Sequence, residues 1–220
     1  MIWYICSAAG GTGKTRLACA LAEEAAGRGK SPLLLDAAGS LQACVFRLRA
    51  EGTLICLSDV LQGDAELAEA VYDSPIQGVR LAVASYEGYP GVSEYAPVIT
   101  ELRSMADPVI VDTGTGEEGP PEELWRTGDR ALVLSGPDEC GLRQAAQRLF
   151  HLESAGACCD LIVDYAPADW RSQEKLATLA EEISGRKPLL FIHQESRADN
   201  RAIEKWFRKA AHALMDNDTD

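Results

Sequence analysis

Histidine and aromatic side chains are scarce in this sequence: 220 residues carry 3 His and only 6% Phe, Trp and Tyr. No His stands at ligand spacing from a cysteine, so no zinc site can be read from the chain. Cys6, Cys19, Cys44, Cys56, Cys140, Cys158 and Cys159 form an odd set without a C-x-x-C pair. They read as buried thiols in a reducing cytoplasm, not as a disulfide framework. Cations are short as well, with 21 Lys plus Arg against 34 Asp plus Glu and a formal charge of −13. A net anion is repelled by phosphate backbones, which argues against nucleic acid as a partner. Long apolar runs are also missing. The stretch from Met1 to Ser7 is too short for a membrane span and lacks the cationic flank of a secretion signal, so a cytoplasmic location is expected. What remains is ordinary for a globular chain, 46% hydrophobic and 25% charged. The length suits one large α/β domain over 1–220, and no linker or repeat divides it.

Apolar runs alternate with stretches of helical spacing, which predicts a doubly wound, mostly parallel sheet with helices on both faces. The expected strands are Ile2 to Cys6, Ser31 to Asp36, Gly78 to Ala84, Pro108 to Asp112, Ala131 to Ser135, Asp160 to Tyr165 and Pro188 to Ile192. The expected helices are Lys14 to Arg28, Leu41 to Arg49, a short one from Ser58, Asp64 to Tyr72, Val92 to Ala106, Glu139 to Ser154, Ser172 to Ser184 and Asp199 to Leu214. Tyr86 to Gly91 and Glu117 to Pro121 read as loops from their Gly and Pro content.

Ala8-Ala9-Gly10-Gly11-Thr12-Gly13-Lys14-Thr15 falls between the first strand and the first helix, where a phosphate-binding loop belongs. Gly10, Gly11, Thr12 and Gly13 let backbone N–H groups curl around a phosphate. Lys14 neutralises β/γ oxygens, and the Thr15 hydroxyl can ligate Mg²⁺. A plain glycine turn is the bland reading, but nothing structural requires Lys followed by Thr. Asp112, which ends a buried apolar run, lies where an open α/β sheet keeps its ligand crevice and can hold a metal-bound water. A capping or turn aspartate is the competing account. Asp36 ends the second strand in the same way.

The motif Gly-Gly-x-Gly-Lys-Thr, the strand ending in Asp36 and the strand ending in Asp112 together resemble the MinD/ParA group of deviant Walker A ATPases over nearly the whole chain. The resemblance implies ATP and Mg²⁺ as cofactors, Thr15, Asp36 and Asp112 on the metal side, and Lys14 with Asp36 as the catalytic pair. It also implies a nucleotide-dependent homodimer that recruits or positions a protein partner. Two positions depart from the family pattern. The lysine that reaches the partner's nucleotide is Ala9, with Arg16 as a substitute cation, and the water-orienting acid is Ala38. Both departures fall on hydrolysis, which suggests slow turnover by a nucleotide switch. Altered loops of this kind also occur in the TadZ/CpaE pilus-localisation relatives, whose sequences are similar over Thr53 to Gly63.

In the family, the strand before the penultimate helix ends in an Asn that reads adenine, and this chain has Asp164 there. An ionised Asp only accepts hydrogen bonds, which suits the guanine edge at least as well; the resemblance favours ATP. His193 stands in the family's adenine loop and reads as a loop residue. On the last helix, Ile203, Trp206, Phe207, Ala210 and Leu214 share one face, and Arg201, Lys205, Arg208, Lys209 and His212 the other. Such a helix either covers the sheet, the favoured expectation, or lies on anionic membrane as in MinD proteins. A P-loop small-molecule kinase or synthetase is the competing function.

Overall fold

Ile2–Ser7 forms β1, six consecutive buried residues in the middle of an eight-stranded sheet. The computed structural model describes residues 1–37, 55–85, 92–114, 122–193 and 200–216. The other strands are β2 (Leu33–Ala37), β3 (Val71–Asp73), β4 (Arg80–Val83), β5 (Val109–Thr113), β6 (Arg130–Ser135), β7 (Cys158–Val163) and β8 (Leu190–Phe191). Their order across the sheet is β3-β4-β2-β5-β1-β6-β7-β8, and every pairing is parallel except β3 with β4. After β1 the chain builds β2, β3 and β4 on one side, inserts β5 between β1 and β2, and then crosses to add β6, β7 and β8 on the other side. The turn after β1 therefore sits at the topological switch point, where open α/β sheets bind ligands.

The helices are α1 (Lys14–Gly27), α2 (Leu57–Gln62), α3 (Ala96–Met105), α4 (Glu139–Ser154), α5 (Trp170–Ser184) and α6 (Asn200–Asp216). Period-two alternation on β1 divides the core between the two faces of the sheet. Ile2, Tyr4 and Cys6 join one cluster with Leu57, Ile99, Leu149 and Leu176 of α2 to α5. Trp3 and Ile5 join the other with Leu17 and Leu21 of α1 and Phe207 and Leu214 of α6. Polar caps fix where helices start: Asp138 accepts from Gly141 N–H ahead of α4, and Asp169 accepts from Ser172 N–H ahead of α5. The terminal helix covers the sheet, as its apolar face suggested, with Phe207, Ala210 and Leu214 buried and Trp206 half-buried.

Two expectations are corrected. Asp64 to Tyr72 is not a helix: it is a 3₁₀ turn at Leu67–Ala70 followed by β3, antiparallel to β4. Leu67 and Val71 gave one helical repeat and no more. The open edge of β4 offered pairing, and the Tyr72 hydroxyl, bonded to Ile55 N–H and C=O, holds the strand there. The cysteines are not all buried either. Cys140 and Cys158 are exposed, whereas Cys6, Cys19, Cys56 and Cys159 lie inside and burial pushes the Cys159 thiol up to about 12. The expected helix at Leu41 to Arg49 and the loops at Tyr86 to Gly91 and Glu117 to Pro121 fall outside the described residues.

Candidate functional site

β1 ends at Ser7, and the chain turns through Gly10 and Gly11, both exposed, into α1. Gly11 (φ 75°) and Gly13 (φ 78°) are left-handed, a conformation glycine adopts without a steric penalty. Gly13 is the residue that caps α1, and the first turn of that helix contains no acid. The positive end of the helix dipole there favours negative charge nearby.

Lys14 is buried, yet its ammonium is not stranded, because Nζ donates to Ser7 Oγ at 2.8 Å. The Ser7 hydroxyl donates in turn to Ala9 C=O at 2.7 Å, and Thr12 Oγ1 donates to the same carbonyl at 3.4 Å. These bonds span the base of the loop and hold the lysine folded back under it. Thr15 Oγ1 donates to Asp112 Oδ2 at 2.6 Å, which joins the start of α1 to the end of β5. Asp36 lies directly across from Asp112 in the β2–β5 register, and both carboxylates are buried. Thr113 donates to Ile5 C=O at 2.9 Å and ties the end of β5 to β1. Lys14, Thr15, Asp36 and Asp112 therefore meet at one end of the central strands.

Asp164 follows β7 and is fully buried; its N–H donates to Ser135 C=O, and its Oδ1 accepts the N–H of Tyr165 at 2.8 Å. Its other oxygen lies 3.0 Å from where a Cβ on Gly13 would stand, so this carboxylate borders the phosphate loop. Tyr165 beside it has φ 57° and an exposed ring. Arg16 is half-buried on α1. His193 Nδ1 is 3.0 Å from Ala166 C=O, the place of a loop residue. Ala38 falls outside the described residues. The sequence did not single out Ser7 or Thr113. Each is merely the polar last residue of a buried strand, and only the fold gives it a part.

No protein-family model matches this chain. An uncharacterized ATP-binding protein of Methanocaldococcus jannaschii is 32% identical over 120 residues, 52% of this chain and 45% of that protein. The chain thus spans less than half the length of the curated relative it matches. Among solved structures, the cell division ATPase MinD of Pyrococcus furiosus superposes with a TM-score of 0.75 at 20% identity, covering 98% of each chain. The chain has the MinD fold. The septum site-determining protein MinD of Pyrococcus horikoshii, in complex with Mg-ADP, gives 0.72 at 20% identity over 97% of this chain and 87% of that one. Cobyrinic acid a,c-diamide synthase of Mycobacterium smegmatis, with bound ADP and magnesium, gives 0.72 at 16% over 97% and 93%. In this MinD fold the loop at 8–13 takes the position after the central strand that the sequence pattern assigned to it.

Proposed function

We propose that this chain is a nucleotide switch that binds ATP with Mg²⁺ at residues 10–15, dimerises when loaded, and recruits or positions a protein partner while hydrolysing slowly. The observation that carries this reading is the 2.6 Å bond between Thr15 Oγ1 and Asp112 Oδ2, with Asp36 opposite and Lys14 held beneath the loop. A hydroxyl and two carboxylates are hard oxygen donors, the set that suits Mg²⁺ when phosphate oxygens and waters complete the shell. Mg²⁺, when bound, supplies charge neutralisation at phosphate oxygens. Thr15 and Asp112 would hold it, directly or through water, with Asp36 beside them. Lys14, exchanging Ser7 for a phosphate oxygen, would orient the terminal phosphate, and Gly10 to Gly13 would bind through backbone N–H groups.

ATP is favoured over GTP by the ATP-binding relative, whereas an ionised Asp164 would only accept hydrogen bonds and suit the guanine edge at least as well. Slow hydrolysis follows from Ala9 and Ala38, which stand where the resembled family has a cation and an acid. Membrane contact, if it occurs, would have to use the outward Lys205, Arg208 and Lys209, because the apolar face of α6 is committed to the core. A phosphoryl-transferring or synthetase reading is kept by the likeness to the diamide synthase.

One experiment separates the two readings: sizing the protein with ADP, ATP and GTP while assaying phosphate release. ATP-dependent dimerisation with little release is expected, and turnover only with an added small molecule would favour the transferase. In parallel, Lys14→Ala should abolish nucleotide binding in calorimetry, since the lysine is the fixed charge of the loop. Unchanged affinity would sink the phosphate-loop assignment.

A further inference from the structure

The last helix reaches the phosphate loop. Phe207 of α6 has no exposed surface, and its ring lies against Gly13. A Cβ on Gly13 would stand 2.4 Å from Phe207 Cζ and 2.9 Å from Cε1, with Asp164 Oδ2 at 3.0 Å. Gly13 is thus required twice, by its left-handed backbone and by the ring filling the space where a side chain would be. It is also the hinge of the site. Its carbonyl accepts Leu17 N–H at 2.9 Å in the first turn of α1, and Lys14 and Thr15 follow directly.

We propose that Phe207 is a positioning residue for the phosphate loop: its ring backs Gly13 and holds the left-handed turn that aims α1's first N–H groups, Lys14 and Thr15. This rests on the nucleotide reading above and extends it to a residue at the far end of the chain. The physical ground is close packing. A loop with two left-handed glycines has other backbone conformations at little cost, and a void behind it forfeits the contacts that select one. The seating of α6 and the geometry of the loop become a single event. A partner that shifts α6 would weaken nucleotide binding, and a bound nucleotide would hold α6 in place.

Leu214 provides the control. It is as buried as Phe207, on the same face of α6 and in the same core cluster, but about two helical turns further from the loop. The test compares Phe207→Ala, Phe207→Leu and Leu214→Ala at a temperature where far-UV circular dichroism shows each folded. ATP affinity is read by calorimetry, and amide hydrogen exchange at Leu17, whose N–H bonds Gly13 C=O, is read in the nucleotide-free protein. Phe207→Ala should weaken ATP about tenfold and speed exchange at Leu17, whereas Leu214→Ala should stay within about twofold on affinity. Phe207→Leu should show a partial loss, about threefold on affinity, and it carries the comparison with wild type if the alanine variant does not fold. Wild-type affinity and exchange in the Phe207 variants, or an equal loss in Leu214→Ala, would overturn the proposal. If wild type binds no ATP while exchange at Leu17 still follows Phe207, the nucleotide reading falls and the packing role stands.

Discussion

Asp129 illustrates how single residues set the site from a distance. Its carboxylate accepts from Ile2 N–H at 2.7 Å, from Arg126 N–H at 3.1 Å and from both ends of the Arg103 guanidinium, and it is almost wholly buried. That side chain ties the start of β1, whose far end carries the loop, to Arg103 of α3 and to the turn ahead of β6. Asp129→Ala would strand the buried Arg103 charge and should cost about 3 kcal/mol, read as a lower urea midpoint at unchanged slope. A loss below about 0.5 kcal/mol would mean that water repairs the gap. At this scale the sequence was most legible where chemistry is local. Lys14, Thr15 and Gly13 lie in one short run whose spacing is dictated by a phosphate, and Asp112 closes a conspicuous apolar strand. Phe207 was legible only as a core residue, because nothing in the spacing of α6 reveals that its ring meets residue 13.

Between elements, α1 and α6 are held together at their outer edge by charge. Arg28 bonds Glu24 at 2.8 Å and Asp216 at 2.7 Å, and His212 Nδ1 lies 2.8 Å from the same Glu24 oxygen. The Glu24 carboxyl is held below its ordinary value, chiefly by the His212 hydrogen bond; burial, the next effect in size, opposes it, and the Arg28 hydrogen bond and charge add to the lowering. A carboxyl whose folded value is depressed adds stability above its unfolded value and loses it as pH falls through the folded one. The difference in melting temperature between wild type and Glu24→Gln should therefore be present at neutral pH and fade below about pH 4. A difference independent of pH would assign the effect to packing. Element types were read well wherever apolar residues recur over three turns or more, as in Glu139–Ser154. The segment at Asp64 to Tyr72 misled because one repeat is too little to outweigh an unpaired sheet edge.

For the molecule as a whole, alternating strands and helices made the doubly wound class legible, while the position of β3 at the edge was not, since strand order depends on pairing between distant segments. Oligomeric behaviour belongs to this scale too. Ala9→Lys with Ala38→Asp would return a cation that acts across a dimer and an acid that orients water. If their absence slows the protein, the double variant should release phosphate faster, and if it acts as the proposed dimer its rate should depend on protein concentration. A wild type that already turns over briskly would remove that explanation. The sheet order also governs when the site comes into being. Ile2 pairs with Val109 and Trp3 with Arg130, so the strand bearing the loop precedes both of its neighbours by about half of the chain. At ribosomal speed β1 emerges on the order of ten seconds before β6, and the edge that β6 covers stays unpaired until then. Nascent chains stalled before residue 130 should therefore be clients of holding chaperones and blind to nucleotide, whatever their loop sequence.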